Sequence, residues 1–124
     1  MGYRSEVILA IGPEVMPQFM VTMAKSIEAR AMCFGDAEVI KDYDGTKGAM
    51  LFRWDHIKWY DSYEEIRAIE DFMDWCDGEA IEVNGAKHQA ADFFRFIRIG
   101  DEMGDTEVRG QGFWDVGVAR SIEY

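Results

Sequence analysis

The sequence predicts an α+β fold, a two-layer sandwich in which two helices cover one face of a mostly antiparallel sheet of about five strands. Two observations lead to this prediction. Two segments carry apolar residues at three- and four-residue steps and five segments are strand-like, in the order β-α-β-β-α-β-β. The chain shows no internal repeat and no low-complexity linker, and its 124 residues suffice for one domain, so residues 1–124 are expected to form a single compact domain.

The first half of the chain begins with a predicted central strand. Residues 3–11 alternate and then become continuously apolar, which is typical of a strand in the middle of a sheet. The periodic segment that follows predicts a helix that begins near Pro17 and ends at about Phe34, before Gly35. Its methionines are expected to pack against the sheet, with an adaptable binding surface as the alternative.

A hairpin is predicted next. Residues 37–43 and 49–59 flank the turn dipeptide Asp44-Gly45. The apolar residues of the second arm change parity towards its end, which predicts that the strand bulges or stops near His56.

The second half begins with a capping-box pattern at Ser62 and Glu65, which predicts a helix that runs to about residue 77, before Gly78. Residues 79–92 are predicted to be a polar loop that can hold one short helical turn, and residues 93–99 a strand. Residues 100–112 are predicted to be a loop rich in glycine and acids, and residues 114–123 a strand with one buried face.

The negative charge is unevenly distributed. The sequence contains 24 acidic residues and 13 Lys and Arg residues, which gives a net charge of −11. Such a charge repels phosphate groups, so direct binding to nucleic acid or to an anionic membrane is not expected. The window 61–82 holds nine acids and one arginine, or −8 of that charge, whereas the rest of the chain carries −3.

The predicted second helix presents this charge on one face. Placed at steps of about 100°, its apolar residues share one side and its carboxylates the other, with a tryptophan at the rim. We expect these residues to face outward as a continuous ridge and to bind a positively charged partner: Glu64, Glu70, Asp71, Asp74, Trp75 and Asp77.

Two interpretations of this ridge remain open. Its carboxylates recur about every 4 Å along the helix, close to the ~3.4 Å between phosphates of a nucleic-acid strand, so the ridge can act as a DNA mimic. Arg67 lies within the same face and opposes that interpretation, since it can pair with Glu64 or Asp71. The alternative is a solvated helix face that keeps the protein soluble.

The sequence lacks the motifs of common enzymes and cofactor sites. His56 and His88 have no metal-ligand spacing, and no phosphate-binding glycine loop occurs. Cys33 and Cys76 lie in apolar helical patterns, which predicts buried free thiols. We therefore expect a protein that is not an enzyme and has no cofactor.

Two alternatives to an acidic binding face are kept. A divalent cation could be bound, with or without catalysis, by the acids of one loop: Asp101, Glu102, Asp105 and Glu107. A structural or assembly role is the other alternative, in which copies of the chain form a homo-oligomer through Trp54, Trp59 and Trp75.

Three separated segments resemble a set of small bacteriophage and prophage proteins. They are MGYRSEV at the start, KWYDSYEE at residues 58–65 and FRFIRIGDEMGDTEV at residues 94–108. The resemblance implies an accessory factor that binds a host protein, as inhibitors of host defence do, anti-CRISPR proteins among them. It transfers no catalytic residue. Because the apolar run at residues 7–11 is too short for a signal sequence or a membrane span, a cytoplasmic location in the host cell is expected.

Overall fold

The computed structural model describes residues 3–102, 104–113, 117–118 and 122–123. Nine strands and three α-helices lie in this part of the chain. In chain order the elements are β1 (Ser5–Ile11), α1 (Met16–Lys25), α2 (Ile27–Ala31), a π-helical turn (Met32–Asp36), β2 (Glu38–Lys41), a 3₁₀ turn (Tyr43–Gly45), β3 (Met50–Ile57), α3 (Glu64–Gly78), β4 (Ala80–Val83), β5 (Ala86–Gln89), a 3₁₀ turn (Ala90–Phe93), β6 (Phe94–Gly100), β7 (Thr106–Arg109), β8 (Gly117–Val118) and β9 (Ile122–Glu123).

A five-stranded antiparallel sheet has the order β2-β3-β1-β6-β7, with the helices packed on it, so the predicted α+β class is confirmed. Strand β1 lies in the centre, as its continuous apolar run predicts, and its residues from Val7 to Ile11 are fully buried. The face opposite the helices is buried as well. Ile8, Ala10 and Leu51 lie in its core, against which the rings of Tyr43 and Phe113 pack.

The helical layer is joined to the sheet by a cluster of aromatic rings. Phe19 of α1 lies 5.4 Å from Phe52 of β3 and 5.3 Å from Phe72 of α3, between ring centroids. Cys33 and Cys76 are buried free thiols, as predicted, and burial raises the pKa of each to about 12. No helix in the described part of the chain is long and apolar enough to cross a membrane.

The predicted first helix is broken. It begins at Met16 with Pro17 in the first turn, as expected, but α1 ends at Lys25. Ser26 then takes an extended conformation, and its Oγ accepts a hydrogen bond of 3.1 Å from the backbone N–H of Ala29. Ser26 therefore ends one helix and caps the next, a role for which its hydroxyl suits it better than for a helix interior.

The predicted irregularity at the end of β3 is confirmed. Ser5 pairs with Ile57 and Val7 with Trp54, so two β3 residues lie opposite one residue of β1. The bulge therefore includes His56, where the apolar parity changes.

The predicted capping box is wrong. Helix α3 begins at Glu64 after Tyr63, which makes no side-chain capping bond, and Ser62 lies outside the helix. The backbone N–H of Tyr63 bonds to the carbonyl of Tyr60 instead, so a tight turn precedes the helix and places Ser62 one residue too early to cap it.

Two predicted loops contain strands. The segment 79–92 includes the predicted helical turn but also the β4–β5 hairpin, which turns at Asn84 and Gly85, both with positive φ. The segment 100–112 contains β7, an edge strand paired with β6. All three strands are four residues long, and β5 is exposed at every position, so their local patterns are too short to be distinguished from a polar loop.

The predicted single strand at residues 114–123 is wrong where the structure describes it. Strands β8 and β9 pair antiparallel with each other, Val118 with Ile122, and not with the main sheet. The rest of that prediction lies outside the described residues.

Candidate functional site

Helix α3 has the two faces that its sequence predicts. The inner face carries the fully buried residues Ile66, Ile69, Phe72, Met73 and Cys76. Four of the predicted partner-binding carboxylates are exposed on the opposite side: Glu64, Asp71, Asp74 and Asp77. The amphipathic pattern therefore orients the helix correctly, although it does not determine what lies beside the acidic side.

Arg109, at the end of β7, lies beside this helix and binds three of its carboxylates. One guanidinium nitrogen, Nη1, donates to Glu70 Oε2 at 2.8 Å. The other, Nη2, donates to Asp74 Oδ1 at 2.9 Å and to Asp77 Oδ2 at 2.7 Å. We call these four residues the Arg109 group.

Glu70 is not part of an outward ridge. Its side chain is 23% exposed, and its second oxygen, Oε1, accepts a hydrogen bond of 3.1 Å from Trp59 Nε1. Burial raises the pKa of Glu70, while the Trp59 hydrogen bond and the Arg109 charge oppose that shift. The prediction of one continuous outward ridge is therefore wrong, because Glu70 is largely buried and Arg109 binds three of the acids.

The Arg109 group nevertheless remains anionic. Three carboxylates and one guanidinium sum to −2, and the side chains of Asp74 and Asp77 are 71% and 49% exposed. A carboxylate offers about four lone-pair sites, so each aspartate bound by Arg109 can accept further hydrogen bonds. Arg109 thus fixes the orientation of these two carboxylates without neutralising the surface.

The other predicted residues lie on the side of α3 that faces α1. Glu64, Asp71 and Trp75 line a groove of about 360 Å³ between the two helices, which we call the α1–α3 groove. Trp75 is half-buried there, and neither acid forms an ion pair within the described residues. The structure therefore divides the six predicted residues into two groups, one held by Arg109 and one beside α1.

Replacing Arg109 with Gln is expected to lower the free energy of unfolding by about 1–2 kcal/mol, because half-buried Glu70 loses its charged partner. Urea denaturation at neutral pH measures the change. The control is Arg67→Gln, since Arg67 is exposed on α3, the helix that carries Glu70, and forms no ion pair within the described residues. This substitution should change the free energy of unfolding by no more than about 0.5 kcal/mol. Equal effects of the two substitutions would contradict the stabilising role of Arg109.

The acids of the loop after β6 are held by a different arginine. Asp105 accepts hydrogen bonds from Arg98 at 2.8 and 3.1 Å and from the Tyr3 hydroxyl at 2.6 Å. Glu107 accepts another from Arg98 at 3.3 Å. No cluster of three potential metal ligands occurs among the residues that the structure describes. Asp101 accepts a hydrogen bond of 3.3 Å from the backbone N–H of Arg4, so three of the four acids predicted as possible cation ligands are engaged within the chain.

The Asp105 contacts predict a specific loss of stability in acid. Arg98, and then Tyr3, lower the pKa of Asp105 from 3.8 to about 2. Its ionised form therefore contributes stability that is fully present above pH 3.8 and is lost as the pH falls through about 2. Asp105→Asn should lower the urea midpoint at pH 7, and the gap from the wild type should narrow between pH 4 and pH 2.

An exposed acid provides the control for this pH series. Asp92→Asn, in the 3₁₀ turn, should leave the wild-type pH profile unchanged. A gap between wild type and Asp105→Asn that stays constant down to pH 2 would contradict the assigned role of the Arg98 and Tyr3 contacts.

The tryptophan surface proposed for a homo-oligomer does not exist in the predicted form. Trp54 and Trp59 are 4% and 8% exposed, and both belong to the core. The indole N–H of Trp54 donates to the carbonyl of Met32 at 2.9 Å, which satisfies its polar group inside the protein. Of the three predicted contact residues, Trp75 is the one that remains partly accessible.

The residue that sequence analysis missed is Arg109, which binds acids 32 to 39 residues away in the chain. Arg98 binds nearer acids, Asp105 and Glu107, seven and nine residues away. Neither His56 nor His88 forms a side-chain hydrogen bond within the described residues, and the ring of His88 packs against Phe93 with centroids 5.7 Å apart. Comparison of the chain with protein-family models, with curated proteins and with solved structures finds no match.

Proposed function

We propose that this protein acts by binding a host protein through the acidic surface of α3, in the manner of a small phage-type inhibitor of host defence. The favoured partner is the basic, nucleic-acid-binding channel of a defence complex, which an anti-CRISPR-like protein would block. One observation carries this proposal, the concentration of exposed acids on and beside α3. They are Asp61, Glu64, Asp71, Asp74, Asp77, Glu79 and Glu82. We call these seven residues the acidic surface.

The charge of this region survives its internal ion pairs. Window 61–82 holds nine acids and Arg67. Beside it lie Arg109, Lys87, which is opposite Glu82 in the β4–β5 hairpin, and Lys25, which lines the α1–α3 groove with Glu64 and Asp71. Nine negative and four positive charges leave −5. A net charge of this size on one side of a small domain attracts a basic surface and accelerates association at low salt.

The Arg109 group supports binding by arranging part of this surface in advance. Asp74 and Asp77 are both held by the same guanidinium group at less than 3 Å, so their oxygens point in defined directions before a partner arrives. Side chains that are already ordered lose less conformational entropy on binding. A lysine or arginine of the partner can then bind the lone pairs that Arg109 leaves free.

The burial of Glu70 weakens the DNA-mimic interpretation. Without Glu70, the exposed acids Asp71, Asp74 and Asp77 remain at three-residue intervals, or about 4.5 Å of helix rise. These positions match the phosphate spacing less closely than a continuous ridge does, so the proposal rests on charge and exposure rather than on a replica of a phosphate backbone.

The experiment that tests the proposal is affinity capture from bacterial lysate. Immobilised protein should retain a basic partner at low ionic strength and release it as salt is added. A variant with Asp71→Lys and Asp74→Lys should retain little of it. Equal retention by the wild type and the variant would contradict the proposed surface.

A further inference from the structure

Helix α1 exposes an apolar face that lies outside the core formed by the described residues. Its inner side packs Phe19 and Met23 into the core. Its outer side exposes four apolar residues at helical spacing, and a fifth follows directly after the break at Ser26. We call these residues the α1 outer face: Pro17, Met20, Val21, Ala24 and Ile27.

The exposure of this face is large. The side chains of Met20, Val21 and Ile27 are 43%, 45% and 71% exposed. Apart from its last residue, Gly78, every exposed residue of α3 is charged, which is the usual pattern for a helix on a protein surface. Grouped apolar residues at the surface of a small, highly charged protein mark an interaction site.

The charges around the α1 outer face balance. Glu14 lies just before the helix and Lys25 in its last turn, and both are exposed. Glu28 and Arg30 follow on α2 and also sum to zero. The charges carried by α1, α2 and the turn before α1 therefore attract no basic partner to this face, although Lys25 also lines the α1–α3 groove with Glu64 and Asp71 of the acidic surface.

We propose that the α1 outer face binds the same face of a second copy of this chain, with the two α1 helices antiparallel about a two-fold axis near Met20 and Val21. A two-fold interface is self-complementary, so an apolar face meets an equal apolar face. In the antiparallel arrangement Lys25 of one copy lies beside Glu14 of the other, and the reverse pair forms at the same time. A parallel arrangement places like charges together.

The dimer is expected to be weak and to strengthen with salt. A helix of 10 residues is about 15 Å long and offers less than the roughly 800 Å² per partner of a standard interface, so the contact is small. Each copy carries −11, so added salt screens repulsion between copies. Salt weakens binding through the acidic surface, so the two interactions respond in opposite directions.

Analytical ultracentrifugation of the full chain, from about 10 µM to 1 mM and at about 0.05 M and 0.5 M salt, tests the proposal. We expect the mean mass to rise towards a dimer with concentration, and more at high salt. Met20→Gln with Val21→Gln should weaken the dimer at least tenfold. The control Val108→Thr changes an apolar residue of β7 that is 50% exposed and should have no effect.

A charge exchange tests the antiparallel arrangement. Glu14→Lys alone and Lys25→Glu alone should each weaken the dimer, and the double exchange should restore it, because the pairs between copies form again with the charges reversed. A wild type that stays monomeric at every concentration and salt overturns the proposal. A variant with Met20→Gln and Val21→Gln that dimerises like the wild type also overturns the proposal. Failure of the double exchange to restore the dimer overturns the antiparallel arrangement.

Discussion

Replacing Asp71 and Asp74 with lysine is expected to weaken binding to the captured partner by about a hundredfold, or about 2.7 kcal/mol at 25 °C. The double change alters the local charge from −5 to −1 and brings two ammonium groups against a basic surface. Repulsion between like charges at an interface is strong enough to produce this loss. The helix should stay folded, since both residues are exposed and Arg109 keeps Glu70 and Asp77 as partners.

The control for this variant makes the same change in net charge elsewhere. The control variant carries Asp36→Lys and Glu102→Lys. Both residues are exposed and lie outside the acidic surface. The control should lose less than about fivefold in affinity, because charges away from the contact act only through a screened field. If both double variants lose affinity equally, the net charge of the protein drives binding and the acidic surface has no special role.

Replacing Phe19 with Ala is expected to lower the free energy of unfolding by about 3–5 kcal/mol. Phe19 is fully buried, and its ring contacts Phe52 and Phe72 and, with centroids 6.5 Å apart, Phe34. The substitution leaves a cavity where the helices meet the sheet. A loss of this size is a large part of the total stability of a small domain.

The neighbouring residue provides the control for the Phe19 measurement. Met20 lies on the same helix but is 43% exposed, so Met20→Ala should change the free energy of unfolding by less than about 1 kcal/mol. Urea denaturation of both variants measures the difference. Losses of similar size would show that the aromatic cluster is not the main link between the helices and the sheet.

The sequence predicts the central features of this fold because they depend on strong local patterns. The unbroken apolar run from Val7 to Ile11 predicts a strand covered on both faces, and β1 has full burial on both. The change of parity near His56 predicts the bulge in β3. The acidic side of α3 is predictable for the same reason, since helical periodicity separates its carboxylates from its core residues.

The sequence does not predict what lies beside each element, because that depends on contacts between distant residues. Arg109 is 32 to 39 residues from the acids that it binds, and it lies on a four-residue edge strand within a segment that reads as a loop. Strand order, which brings β7 to the sheet edge next to β6, carries no local signal. Sequence reasoning therefore identifies the acids and misses the arginine that binds three of them.

The helical layer combines two surfaces with different physical properties. The acidic surface carries excess charge and is partly ordered by Arg109, whereas the α1 outer face is apolar and locally neutral. Since the two proposed interactions are expected to respond to salt in opposite directions, a single protein preparation studied at several ionic strengths separates partner binding from self-association.

The most direct test of the acidic surface is the salt dependence of affinity, measured by titration calorimetry with the purified partner. The wild type should lose affinity steeply as salt rises, and the Asp71→Lys, Asp74→Lys variant should bind weakly with a much shallower dependence on salt. A wild-type affinity that is unchanged by salt, or equal slopes for the two proteins, would contradict binding through the acidic surface of α3.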